Sequence, residues 1–357
     1  MIRTIHLLKS ITLSNFLRLK YPYKLTYAVT YRCNLKCKMC AIWKKDLSQE
    51  LSLDEINRFF NKSGFFSWID LTGGEIFLRE DIFDILSIIL NNCSRLKIIH
   101  FPTNGQFPEE ALKFLMIVNK TKGVVPVVTV SIDGEEALSD DIRGVKGAWR
   151  NAVNTFKIIK ESGCSFCSFG ITISRYNVHY LSLERIISQV VKIYPDIDKS
   201  DFHFNIAHSS EHYYSNPSEE NMFNDSYRVK LSNLLLLNNK NRIKGFLQNN
   251  YLSGINKILR NGEFMPCQSL SGTCFLNPEG YLYPCSIYNR RLSHIQEIDY
   301  DVRQYWENKD LICLYRDLQS GKCPKCWTPC EAFPSILGSI LRKPSNIKKN
   351  ILCRQSE

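Results

Sequence analysis

Apolar positions along the chain switch between two periods, and the switches mark out repeated strand-then-helix units. Residues 24–30 (KLTYAVT) alternate in the manner of a strand. A helix is expected from Ser52, which forms a capping box with Glu55 ahead of Ile56, Phe59 and Phe60 and is followed by a stop at Gly64. The pattern then recurs as strand 66–71 with helix 81–91, strand 96–101 with helix 109–119, strand 124–132 with helix 148–161, and strand 166–173 with helix 183–194. Residues 201–206 supply a sixth strand. Strands alternating with helices imply a parallel sheet with right-handed crossovers. The sequence after Ala207 offers no further units, so the expected fold is α/β, an open, partial (β/α)6 TIM-type barrel over 24–208. Residues 1–23 are expected to hold a short amphipathic helix with Leu8, Ile11 and Leu19 near one face. Residues 209–263 read as a helical connector around the run 234–237, residues 264–335 as a small cysteine-rich domain, and residues 336–357 as a basic tail.

The turn after the first strand carries the densest chemistry. Residues 30–43 read TYRCNLKCKMCAIW, with Cys33, Cys37 and Cys40 in C-x3-C-x2-C spacing. Three thiolates this close on one loop can hold three irons of a cubane cluster and leave the fourth iron without a protein ligand. A structural zinc site wants four protein ligands, and no further Cys or His follows before Cys93. Three unligated thiols on a polar, basic loop run against the tendency of free cysteines to sit in cores. The loop would also lie at the C-terminal end of its strand, where α/β folds place their chemistry. The next strand ends in Thr72-Gly73-Gly74-Glu75, whose glycines let backbone approach a ligand closely and whose carboxylate can accept from an ammonium. Strand three ends in Thr103-Asn104-Gly105 and strand four in Ser131-Ile132-Asp133-Gly134, while Ser174 and Arg175 follow strand five. Their polar groups suit ribose hydroxyls or a polar substrate, although Asn-Gly and Asp-Gly are also ordinary turn dipeptides.

The cysteine loop resembles the cluster motif of the radical S-adenosylmethionine (SAM) superfamily. That resemblance implies a partial barrel with a 4Fe-4S cluster on Cys33, Cys37 and Cys40. The open iron would chelate the amino and carboxylate groups of SAM, and an electron would cleave SAM to a 5′-deoxyadenosyl radical that takes a hydrogen atom from the substrate. It also implies that Gly73, Gly74 and Glu75 bind the SAM amino group, with Asn104, Asp133, Ser174 and Arg175 as candidates for the remaining polar contacts. Met39 stands where family members often carry an aromatic residue near adenine, and a thioether can fill that space.

Cysteine density rises again from Cys267 through Cys274 and Cys285 to Cys323, Cys326 and Cys330. A hairpin over 275–284, turning at Asn277-Pro278-Glu279-Gly280, is expected to bring Cys285 back toward Cys267. This run resembles the SPASM and twitch domains appended to many radical SAM enzymes, which implies an auxiliary 4Fe-4S cluster on Cys267, Cys285, Cys323 and Cys326. On spacing alone a four-cysteine zinc site fits equally. A second auxiliary cluster from Cys274, Cys330 and Cys353 would lack a ligand. Cys164 and Cys167 lie at a strand start with no helix N-terminus behind them, and with Cys93 and Cys313 they read as core thiols. His203 reads as structural and His208 as a residue that could line the cavity.

Composition narrows the function classes. The chain has 357 residues, 44% of them apolar, and no run nears the ~18 apolar residues that span a membrane. Its fourteen cysteines cluster in metal-ligand groups, which at this length indicates a reducing compartment, the cytoplasm, rather than a disulfide scaffold. The net charge of +11 is concentrated at the ends. Arg3, Lys9, Arg18, Lys20 and Lys24 open the chain without an acid, while Arg342, Lys343, Lys348, Lys349 and Arg354 close it against Glu357. Solvated tails explain this distribution better than a groove that tracks phosphates. The expected partners are a small-molecule or peptide substrate and an electron donor such as a flavodoxin or ferredoxin. An RNA-modifying radical enzyme and a non-catalytic iron-sulfur or zinc scaffold are the alternatives.

Overall fold

The computed structural model describes residues 2–46, 49–216, 242–263, 266–324 and 326–340. The run 234–237, Cys353, Lys348 and Lys349 lie outside the described residues. Six parallel strands form the body: β1 (Lys24–Thr30), β2 (Trp68–Gly73), β3 (Ile98–Thr103), β4 (Val125–Ser131), β5 (Cys167–Ile173) and β6 (Phe202–Ile206). The helices between them are α2 (Leu53–Ser63), α3 (Ile82–Asn92), α4 (Pro108–Lys120), α5 (Glu136–Arg143), α6 (Ala148–Glu161) and α7 (Leu183–Val190). The Ser52–Glu55 capping box forms as the sequence indicates. Between helices and sheet lies one apolar core, in which Phe59, Phe60, Phe66, Phe101, Phe114 and Phe156 are fully buried.

Two strands not expected in this sheet extend it. β7 (Thr273–Leu276) pairs parallel to β1, with Leu25 opposite Cys274, and β8 (Leu282–Tyr283) pairs antiparallel to β7. The order is β6-β5-β4-β3-β2-β1-β7-β8, so the cysteine-rich segment is built onto the barrel's own edge. The hairpin turns where expected, with Gly280 at φ +90° accommodating the reversal.

The N-terminal segment departs from a solvated tail. α1 (Ile2–Ser14) buries Leu7 and Ile11 against Tyr23 and Trp68, and Arg3 hydrogen-bonds the carbonyl of Lys122 at 3.0 Å. Lys24, grouped above with the basic end, is fully buried. After β6 the chain runs as an irregular strap through Asn216, so within the connector the described helix is α8 (Arg242–Asn261) alone. α9 (Val302–Trp306), α10 (Lys309–Gln319) and α11 (Pro329–Ser339) follow. α11 runs past the boundary expected at 335 and packs on α1: a Cβ at Gly338 would meet the Ile11 carbonyl at 2.6 Å. Cys93, Cys164 and Cys167 are buried as expected, but Cys313 is exposed on α10. Helical periodicity turns Cys313 away from Leu311, Leu314 and Leu318, which carry that helix's buried face.

Candidate active site at the strand ends

The cysteine loop leaves β1 and is held from three sides. On the first, Gly74 N donates to the Thr30 carbonyl at 2.9 Å and Glu75 N to the Arg32 carbonyl at 2.8 Å. This contact explains both glycines: a Cβ on Gly73 would lie 2.1 Å from Thr30 O, and one on Gly74 2.0 Å from Arg32 O. Gly73 also has φ +141°. Gly74→Ala is therefore expected to push the loop off β2 at about 1–3 kcal/mol, lowering the melting temperature by several degrees and reducing iron loading after reconstitution. An unchanged melt and iron content would show that the turn tolerates a side chain.

On the second side stands α5, which sequence reading missed. Lys36 N and Lys38 N donate to the carbonyls of Arg143 and Ile142 at 3.0 and 2.8 Å, and Gly144 ends the helix at φ +70°. Three acids among its eight residues mask its apolar positions, although Leu138 and Ile142 at i, i+4 and the terminal glycine were legible signals. The third side is the strap. Ala41 N donates to the Tyr214 carbonyl at 2.9 Å, Asn216 Nδ2 to the Met39 carbonyl at 2.7 Å, and the Tyr213 hydroxyl meets Thr72 Oγ1 at 2.6 Å.

Several predicted residues converge here. Glu75 is buried and accepts from Thr103 Oγ1 at 3.1 Å and from Asn104 N at 2.7 Å, and burial pushes its carboxyl up to about 7. The Asn104 side chain stands beside the Cys33 thiol, favouring its thiolate, and donates to Asn34 Oδ1 at 2.7 Å. Met39 packs against Ile142, Ala207 and Tyr176. Asp133 lies one layer back, fully buried, with Arg143 Nη2 at 2.8 Å and Thr172 N at 3.1 Å. Ser174 is turned into its own loop, its Oγ accepting from Tyr176 N, whereas Arg175 is exposed. His208, expected as a cavity residue, is buried and packed as a structural one, its Nε2 accepting from Trp327 N at 3.2 Å.

Burial pushes the thiols up, Cys37 to about 11 and Cys40 to about 12, so without a metal they carry protons. Beside them Arg143 is fully buried, its cation favoured by Asp133 and Cys37 against desolvation, and its Nε lacks a hydrogen-bond partner among the described residues. A buried guanidinium with an unpartnered Nε beside three thiols fits a thiolate-held, net-anionic cluster. Among the described residues no three Cys, His, Asp or Glu converge tightly enough to hold a single metal ion.

The C-terminal cysteines are gathered by β7, β8 and the loop between α10 and α11. The Cys267 thiol is pushed up by burial and by Glu331, Cys326 and Cys285, and Cys326 likewise feels Cys285 and Cys323. Backbone N–H groups point at two of the sulfurs, Ser269 N to Cys267 Sγ at 3.4 Å and Tyr288 N to Cys285 Sγ at 3.3 Å. Four neighbouring thiols with N–H donors fit a second cluster. Cys330 instead adjoins Lys24, whose Nζ donates to its carbonyl at 2.8 Å. The strap joins the two groups, since His212 Nε2 donates to the Cys285 carbonyl at 3.0 Å and Ser210 Oγ to that of Ser286 at 2.7 Å.

A partial barrel that delivers three cysteines from its first strand and docks them on a glycine turn defines an iron-sulfur enzyme of the SAM-cleaving class. Residues 27–181 match the radical SAM superfamily, so the chain carries a domain of that superfamily. Its cofactors are accordingly SAM and a 4Fe-4S cluster. It is 23% identical over 323 residues to mycofactocin maturase MftC of Mycolicibacterium smegmatis, covering 85% of this chain and 75% of that one. It is 27% identical over 159 residues to the antilisterial bacteriocin subtilosin biosynthesis protein AlbA of Bacillus subtilis, where the match spans 43% of this chain but only 34% of AlbA. Its fold is similar to that of SuiB of Streptococcus suis, known bound to S-adenosylmethionine (TM-score 0.57, 18% identity, 87% of this chain and 73% of that one) and to the precursor peptide SuiA.

Proposed function

We propose that this radical SAM enzyme modifies a peptide or small molecule by taking a hydrogen atom from it, in an oxidation or a side-chain modification. The observation that carries this reading is the docking of the cysteine loop on Gly73, Gly74 and α5, with Asn104 and Arg143 against its thiols. The maturase and biosynthesis names of MftC and AlbA, and the SuiB–SuiA complex, support a peptide substrate. When bound on Cys33, Cys37 and Cys40, the cluster supplies the electron that cleaves SAM and so generates the hydrogen-abstracting 5′-deoxyadenosyl radical.

The chain's own residues position and enclose. Glu75, already fixed by Thr103 and Asn104, presents a carboxylate edge suited to the SAM ammonium. Arg143 holds Asp133 and faces the thiols, which suits it to the SAM carboxylate. Met39 and Tyr176 give an apolar wall on which adenine can lie, and the Asn104 amide beside Asn34 is suited to a ribose hydroxyl. Cys267, Cys285, Cys323 and Cys326 hold the auxiliary cluster. Exposed Arg32, Lys36, Lys38 and Lys44 surround the loop with positive charge, which favours an acidic electron donor of the flavodoxin or ferredoxin kind. No helix among the described residues is long and apolar enough to cross a membrane.

Anaerobic reconstitution tests this reading. The chain is expected to hold about eight irons, four per cubane, and to form 5′-deoxyadenosine from SAM under reduction. About four irons with one zinc would replace the auxiliary cluster by a structural site. No 5′-deoxyadenosine from an iron-loaded protein would overturn the enzymatic reading.

A further inference from the structure

Below the strand ends, inside the barrel, lies a cavity of about 370 Å³. Helices α1, α8 and α11 close over it, and its wall is mostly apolar, with Leu7, Trp68, Val127, Phe202 and Phe333 contributing. Leu8 lines it while remaining about half exposed, which places a mouth beside α1. Size and lining are those of a small-molecule site, whose few polar groups fix orientation.

Those polar groups are ordered. Strand register sets Asp70 beside His100, and His100 Nδ1 lies 3.3 Å from Asp70 Oδ1. The same carboxylate accepts from Trp68 Nε1 at 2.7 Å and holds Lys24 Nζ at 2.6 Å. An ionised carboxylate only accepts, so this network assigns the proton to Nδ1 and leaves Nε2 an acceptor. Nε2 is met by Thr129 Oγ1 at 3.1 Å, a hydroxyl able to rotate away, and the His100 side chain keeps 23% of its surface exposed. A histidine with a fixed tautomer, facing an apolar space, reads a hydrogen-bond donor on an otherwise apolar group.

We propose that this cavity receives an apolar group of the substrate bearing one hydrogen-bond donor, a hydroxyl or N–H, which donates to His100 Nε2. Calling the occupant the substrate rests on the radical SAM reading above; the site itself rests on the cavity and its network. His100 precedes Asn104 by four strand residues, about 13 Å of rise, so the anchored group lies well inside the barrel from the cysteine loop. Asp70 and Lys24 act through His100 as positioning residues.

Calorimetry on the reconstituted holoenzyme tests this with 4-phenylphenol and biphenyl, which share a shape and differ by one hydroxyl. Wild type is expected to bind the phenol at least about tenfold more tightly, a gap of about 1.4 kcal/mol. His100→Leu should erase the preference while keeping biphenyl binding. Val127→Trp, or Ser168→Phe should that variant fail to fold, should fill the space and abolish binding of both. Absence of binding by wild type, equal binding of the two probes, or a preference that survives His100→Leu would each overturn the proposal. These titrations consume no SAM, so their failure is distinguishable from a failure to form 5′-deoxyadenosine.

Discussion

Replacing any one of Cys33, Cys37 or Cys40 by alanine is expected to abolish reductive SAM cleavage and to remove about four of the eight irons, leaving those on the C-terminal cysteines. The effect should be all-or-none because each thiolate holds one iron of the cubane, and an iron freed by substitution has no substitute donor within the described loop. Glu75 is not free to move in as a ligand, since Thr103, Asn104 and Phe77 fix its carboxylate in place beside the glycine turn. Arg143 cannot serve, being a cation without a lone pair to give. The complementary change, Cys285→Ala, should remove the other irons while the N-terminal ones remain. Iron analysis and 5′-deoxyadenosine quantitation read both outcomes. Undiminished 5′-deoxyadenosine formation in any of the three loop variants would sink the assignment.

What the sequence disclosed and what it hid divide along physical lines. Alternating and 3.6-residue periods report burial within one element, so the six strands and the helix Ala148–Glu161 were legible to within a few residues. The cysteine loop and glycine turn were legible because their chemistry is local. Pairing between distant segments leaves no local trace, so neither the joining of β7 to β1 nor the strap's contacts with Ala41, Met39 and Cys285 could be read. A polar, asparagine-rich stretch looks like a solvated connector whether or not its hydroxyls and imidazoles are buried. Charge misleads in the same way. Arg143 reads as surface until Asp133 and the thiols surround it, and Arg3 reads as a tail until Leu96 and Lys122 offer carbonyls. The aromatic pair Tyr213 and Tyr214 within the polar stretch was the available sign that it packs.

Lys24 is the most consequential of these concealed charges, and Lys24→Met is expected to destabilise the chain by about 3–5 kcal/mol. Its ammonium is fully buried, and the cost of desolvation is outweighed by Asp70 at 2.6 Å, with Thr26 and the Cys330 carbonyl taking further N–H donors. Removing it strands a buried carboxylate left with Trp68 and His100 as its other contacts. The double variant Lys24→Met with Asp70→Asn should recover part of the loss, because no unpaired charge remains, and the difference measures the coupling. The pair also sets a pH signature. Lys24 holds Asp70 well below the usual carboxylate range against desolvation, so that contribution is present above the unfolded value of about 4 and is lost as pH falls below it. Asp70 in turn raises Lys24, whose contribution is present below its unfolded value of about 10 and is lost as pH rises beyond it. Stability of the wild type relative to the double variant should therefore be flat between those limits and narrow outside them. A gap between the two chains that stays constant down to pH 2 in thermal or urea unfolding would show that the buried ion pair contributes nothing to holding β1, β2 and the Cys330 segment together.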